Sequence, residues 1–172
     1  MIMDRRKRKT QANIVNAFYE VIAKESFEQL TVSKLCEVAD INRGTFYLNY
    51  LDKYDLLEQV IKEEIRSLTE FCAAHEENTD HLTKTLEYML TKKDRISLLL
   101  KADTQGLFTR QLRDFLRAEN YSVSEVDAIF ITNGLVGVLT HLLTTNEPSE
   151  KIISDFTRFL SQHQNFIELT GS

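Results

Sequence analysis

An all-α fold is what this sequence predicts, and three observations predict it. Gly and Pro are scarce, at 5 and 1 in 172 residues, so the chain has few of the residues that break helices or form tight turns. Leu, Glu, Lys and Gln are plentiful, and no run of alternating β-branched residues marks a strand. Apolar residues instead recur three and four apart, the period of one face of a helix. The length fits one domain of ordinary size, or a small module sharing its core with a larger one.

The first helix is expected from Thr10 to Lys24, with Ile14, Ala17, Phe18, Val21 and Ile22 on one apolar face. The second begins at Thr31, a good N-cap, and buries Val32, Leu35, Cys36 and Ala39. The turn Asp40-Ile41-Asn42-Arg43 follows, with Ile41 inward and Asn42 placed to cap a brief third helix, Arg43 to Tyr50. Asp52 caps the fourth, which runs to Ala74 with Leu57, Val60, Ile61, Ile65, Leu68 and Phe71 inward.

A second helical section follows. Asn78 or Thr79 opens a helix to Leu90, and Asp94 a shorter one through Ile96, Leu99 and Leu100. Gly106 precedes a helix with Leu107, Phe108, Leu112, Phe115 and Leu116 inward. Ser122-Val123-Ser124-Glu125 has the form of a capping box and opens a long helix to Leu143. Pro148 suits the first turn of the last helix, which carries Ile152, Ile153, Phe156, Phe159, Leu160, Phe166 and Ile167. No repeat, low-complexity tract or flexible linker interrupts the chain, so the fourth helix is expected to connect the two sections rigidly.

The net charge of -5 conceals a division. Residues 1–53 carry a balance of +2 and residues 54–172 one of -7. Arg5, Arg6, Lys7, Arg8 and Lys9 stand in a row. Such a run is ordinarily a solvated tail, but its place ahead of a helix-turn-helix pattern favours contact with phosphate, which responds to local charge density. The 2 cysteines, Cys36 and Cys72, lack disulfide-framework or metal-ligand spacing and read as buried thiols. The N-terminus has no apolar stretch after its charges, so no signal peptide is read there. Residues 128–143 form the most apolar segment, shorter than a membrane span and holding Thr132, Asn133, Thr140 and His141. It reads as a buried helix of a cytoplasmic protein that does not enter a membrane.

Chemistry concentrates in the third helix. Phe46 and Tyr50 are four apart and can face the core, leaving Arg43, Thr45, Tyr47, Leu48 and Asn49 on the other side. Gly44 lets backbone N–H groups approach a phosphate closely. Thr45 and Tyr47 can donate to phosphate, Asn49 can pair with a base edge, and Leu48 can meet a thymine methyl. Lys53 adds a charge in the first turn of the fourth helix, where free amides favour an anion.

Residues 10–57 resemble the DNA-binding domain of the TetR family of bacterial transcriptional regulators. The match rests on Thr31-Val32, Ala39, Arg43-Gly44-Thr45-Phe46-Tyr47, Tyr50, Lys53 and Asp55-Leu56-Leu57. The chain departs from the family pattern at Ser26, where Gly is usual, and at Ala39-Asp40-Ile41-Asn42, where Ala-Gly-Val-Ser is common. Leu48 and Asn49 also differ from the usual residues before the last aromatic. These departures leave the expected fold intact and the operator sequence open. An Asp in the turn is tolerable because it can adopt a left-handed conformation.

The resemblance implies a three-helix DNA-binding unit, residues 1–53, joined through the fourth helix to a helical ligand and dimerisation domain, residues 54–172. It implies a repressor binding a palindromic operator on double-stranded DNA as a homodimer through its last two helices, released by a small-molecule effector. Thr31, Lys34, Arg43, Gly44, Thr45, Tyr47, Leu48, Asn49 and Lys53 are the expected DNA-binding residues. A rival reading keeps the fold as a helical protein-interaction module with weak or lost DNA binding, which the acidic C-terminal section and Asp40 favour.

Other sites read more blandly. His75, Glu76, Glu77, Asp80 and His81 straddle a helix break and read as an exposed polar loop, not a metal site. His141 reads as a core or interface residue. No catalytic order, phosphate loop or zinc motif is present, so no enzyme, cofactor or metal is expected. Gly134 and Gly137 share one side of the long helix at roughly 1 kcal/mol each relative to Ala, which close approach across a dimer interface would offset. Phe71, Tyr88, Phe108 and Thr132 could line a ligand cavity but read as core.

Overall fold

The computed structural model of the chain describes residues 5–73, 81–118, 124–145 and 148–162. These residues form nine helices, and no strand occurs among them. The N-terminal helices are α1 (Arg5–Ile22), α2 (Val32–Val38), α3 (Arg43–Tyr47) and α4 (Lys53–Ala73). Then come α5 (His81–Thr91), α6 (Lys93–Ala102), α7 (Leu107–Ala118), α8 (Glu125–Thr144) and α9 (Ser149–Gln162).

Several boundaries move from the sequence expectation, each for a local reason. Helix α1 starts at Arg5, not Thr10, so the basic run is helical. Arg and Lys are good helix formers, and the run leads without a breaker into the Ile14–Phe18 face. Helix α3 stops at Tyr47, not Tyr50: the amides of Asn49 and Tyr50 both turn back to the Phe46 carbonyl. Helix α8 is capped by Ser124, whose Oγ accepts from the Asp127 amide at 3.2 Å and donates to the Asp127 carboxylate at 2.6 Å. The box therefore closes on Asp127, and Ser122 lies outside the described residues.

Pro148 immediately precedes α9, its carbonyl accepting from the Lys151 amide. Helix α7 has a cap that periodicity did not reveal. The Asp103 carboxylate accepts from the Leu107 and Phe108 amides at 2.8 and 2.7 Å, while Gly106 turns the chain at φ 67°. The expected start of α5 at Asn78 or Thr79, and Phe166 and Ile167, fall outside the described residues.

The core is continuous. Ile14, Phe18, Leu35 and Phe46 of the first three helices belong to one buried cluster with Leu56, Leu57, Val60 and Ile61 of α4. The same cluster takes in Leu86, Ile96, Leu99, Phe108, Leu112, Leu135 and Leu139. A polar junction reinforces it: Tyr19 of α1 donates to Glu64 of α4 at 3.1 Å, and Arg95 of α6 lies 3.7 Å from the same carboxylate oxygen. The Arg95 guanidinium also sits 4.7 Å from the centre of the Tyr19 ring. Burial, then the Glu64 charge, raises the Tyr19 pKa well above its ordinary value, so the phenol stays a donor.

Helix α8 departs from its expected burial. Ala128, Ile131, Thr132, Leu135 and Leu139 are buried, whereas Val126, Ile129, Phe130, Asn133, Gly134, Gly137, Thr140 and His141 are exposed. Its 20 residues are long and apolar enough to cross a membrane by composition, with 28% of the apolar window buried. The buried stripe nevertheless packs into the core beside α5, α6 and α7. The helix thus has one covered apolar stripe and one uncovered.

Ile61 is fully buried where both sections meet. Ile61→Ala is expected to cost about 2–5 kcal/mol, and urea unfolding should remain a single transition. Two separate transitions would mean that the N-terminal helices have a core of their own.

Candidate nucleic-acid interface

The helix-turn-helix is built by caps, because its helices are too short to persist alone. The Thr31 hydroxyl accepts from the Lys34 amide at 3.2 Å and opens α2. Helix α2 buries Leu35 and Cys36, and burial pushes the Cys36 thiol pKa up. The Cys72 side chain lies outside the described part of the structure. Asp40 then turns the chain with φ 51°, the left-handed conformation anticipated for it.

Asn42 Oδ1 is the pivot of α3. It accepts from the Thr45 amide at 2.7 Å and from the Thr45 hydroxyl at 3.0 Å. A Cβ at position 44 would stand 3.2 Å from that oxygen, so Gly44 leaves room for the cap as well as baring the backbone. On the inner side Phe46 is fully buried, with Tyr50 beside it at a ring separation of 5.7 Å.

The outer side differs from the expected row of free donors. Arg43 is exposed and donates to the Tyr47 hydroxyl at 3.4 Å, a bond that raises the Arg43 pKa. Tyr47 is 49% exposed and Leu48 82%. These three project outward. The Thr45 hydroxyl, by contrast, is committed to Asn42. Asn49 is partly buried: its Nδ2 donates to the Thr45 carbonyl at 2.8 Å, while its Oδ1 is buried without a partner. The bidentate base contact expected of Asn49 is therefore not presented in this conformation, because closing α3 takes the amide.

Lys53 departs furthest from expectation. Its Nζ donates to the carbonyls of Phe27, Glu28 and Leu30 at 3.0, 2.9 and 2.9 Å. An ammonium has three donors, so all are directed at backbone and away from the outer face. Lys34, partly buried, has its Nζ 4.0 Å from Glu37. Arg5 to Lys9 are all exposed along the first turns of α1.

Two residues that periodicity passed over join the outward group. Leu51 is 80% exposed and Tyr54 49%, on either side of the Asp52 cap. The available signal was an apolar residue placed immediately before a capping Asp, where burial has no use for it. No group of His, Cys, Asp and Glu suited to a metal occurs among the described residues. Glu76, Glu77, Asp80 and His75 lie outside them, as does the His81 side chain. Tyr88, Phe108 and Thr132 are buried, Thr132 donating to the Ala128 carbonyl, and the partly buried Phe71 packs against Tyr88 at 4.8 Å, so the first three are core and Phe71 lies at its edge.

An all-helical chain with a capped helix-turn-helix at one end has the architecture of the helix-turn-helix class of proteins. Residues 14–60 match a model of the bacterial regulatory proteins, tetR family. A fatty acid metabolism regulator protein of Bacillus subtilis (strain 168) is 27% identical over 147 residues, spanning 85% of this chain and 74% of that protein. Lin0861 from Listeria innocua has a similar fold, with TM-score 0.69, 17% identity, and 93% and 95% of the two chains covered. So does a TetR transcriptional regulator from Streptococcus agalactiae 2603V, with TM-score 0.67, 22% identity, and 91% and 96% covered. The likeness to the TetR family of transcriptional regulators thus rests on residues 14–60, the helix-turn-helix part of the chain.

Asn42→Ala removes both bonds that start α3 and is expected to cost about 1 kcal/mol, read as a lower urea midpoint at unchanged slope. An unaltered midpoint would mean that α3 is held by Phe46 packing alone.

Proposed function

We propose that this chain is a repressor that binds a roughly palindromic operator as a homodimer, with α3 of each copy entering the major groove. The observation that carries this reading is the uncovered face of α3. Arg43 and Tyr47 of a five-residue helix, with its C-cap Leu48, project outward, and Phe46 locks the opposite side. Residues 1–53 act as the reading unit and residues 54–172 as the regulatory one.

Arg43 and Tyr47 are assigned phosphate contacts and Leu48 a thymine methyl. Thr31, Lys34 and the Gly44 backbone position the unit, and Arg5 to Lys9 supply charge. Thr45 and Asn49 reach DNA by exchanging their present bonds. A set of phosphate contacts gives binding that falls steeply with salt.

Dimerisation rests on the uncovered stripe of α8, together with α9. Phe130 and Phe159 are exposed, and a Cβ added at Gly134 or Gly137 would meet nothing within 4 Å. Packing within one copy therefore does not account for these glycines. A second α8 lying against them does, in an isologous contact. Such a protein works in the cytoplasm.

For the effector we propose the groove of about 470 Å³ between α4 and α7, where Ile65 and Phe115 form an apolar wall beside Lys62. The name of the Bacillus subtilis relative makes a fatty-acid-derived compound the first class to test there. Release follows if the effector favours a dimer whose two α3 helices are spaced wrongly for successive grooves.

Selection from a random duplex pool by the full-length protein should recover a palindromic sequence bound with a steep salt slope. The double variant Arg43→Ala, Tyr47→Ala should lose that binding while keeping its helical content. Equal affinity for a scrambled duplex would instead favour a protein partner at the Leu48–Leu51 face. Gly137→Leu should leave the helical content unchanged and convert the dimer to monomer in sedimentation. A dimer of undiminished affinity would place the interface elsewhere.

A further inference from the structure

Lys53 occupies a position where a phosphate contact is the obvious assignment, yet its ammonium is fully engaged inside the protein. Its three partners, the carbonyls of Phe27, Glu28 and Leu30, lie just before Thr31, the N-cap of α2. Lys53 itself is the first residue of α4. Its Nζ also stands 5.0 Å from the Phe27 ring centre and 5.5 Å from that of Tyr54, where the ring faces attract a cation. Phe27 in turn meets Tyr54 edge to face at 5.4 Å.

We propose that Lys53 is a positioning residue for DNA reading, clamping the entrance of α2 to the start of α4 and making no phosphate contact. The α2–α3 pair is already joined to α4 through residues 48–52 at its far end. Lys53 ties the near end, so the pair has two attachments to α4 and is held at one angle to it. Helix α3 needs this because it buries a single residue, Phe46, and inherits its direction from its neighbours. The clamp also makes any displacement of α4 carry the reading helix with it. The inference rests on the DNA-reading function proposed above.

Two substitutions separate the alternatives. Lys53→Met keeps the apolar stem and removes charge and donors. Lys53→Arg keeps the charge, but its planar fork cannot aim three donors from one nitrogen at three carbonyls. The probe is the duplex selected by the unaltered protein, titrated at several salt concentrations where circular dichroism shows each variant fully helical.

For a clamp, Lys53→Met weakens binding about tenfold or more through loss of a supporting contact, its salt slope matches the unaltered protein, and Lys53→Arg does not rescue. A slope lower by about one together with rescue by Lys53→Arg would overturn the proposal, and so would undiminished affinity of Lys53→Met. Hydrogen exchange of the Leu30, Lys34 and Leu35 amides, which are bonded to Phe27 and Thr31, measured without DNA, should speed up in Lys53→Met; unchanged protection also overturns the clamp. Because that arm needs no duplex, failure to select one would count against the DNA reading and leave the clamp decided on its own.

Discussion

One apolar stripe of α4 has to be covered from two sides at once, and most of the architecture answers that demand. Leu56, Leu57, Val60, Ile61, Ile65 and Leu68 are all buried. Toward the N-terminus they share a cluster with Ile14, Phe18, Leu35 and Phe46, and toward the C-terminus with Leu86, Leu99, Phe108 and Leu112. Each fully buried side chain of this size contributes about 1.5–3 kcal/mol relative to exposure. Removing either set of neighbours would return that surface to water. The N-terminal helices therefore borrow their core from the helix that links them to the rest.

Helix α3 illustrates what this borrowing allows. Five residues cannot hold a helix by propagation alone. The polar side chains of Asn42, Thr45 and Asn49 are spent on its own backbone and caps. What remains outward is a smaller set, Arg43, Tyr47 and Leu48, with Leu51 and Tyr54 alongside. Local order and groups left over for recognition are thus in competition along the same short stretch.

The fold class, the helix-turn-helix and its caps at Thr31, Asn42 and Asp52 were legible in the sequence, since apolar spacing and cap chemistry are local signals. The start of α1 was not, because five basic residues fit a tail and a helix equally well until their packing context is known. The cap at Ser124 was displaced because Asp127 serves the box that Glu125 suggested. The partners of Lys53 were illegible for a different reason. They are backbone carbonyls more than twenty residues away, and a backbone carbonyl has no letter in a sequence. The uncovered side of α8 was marked in the sequence only by Gly134 and Gly137, since the rest of an apolar run reads the same whether or not its second face is covered.

The junction of Tyr19, Glu64 and Arg95 has a mechanical consequence. Its members come from α1, α4 and α6, one from the N-terminal helices, one from the connecting helix and one from the helices that follow it. The Glu64 carboxylate is 10% exposed and the Tyr19 ring is buried, so water can offer little replacement once they part. A shear between α1 and α6 therefore meets resistance from the start, like a pinned joint and unlike a lubricated one. A change of section along the chain need not be a line of weakness; here a largely buried polar junction spans it.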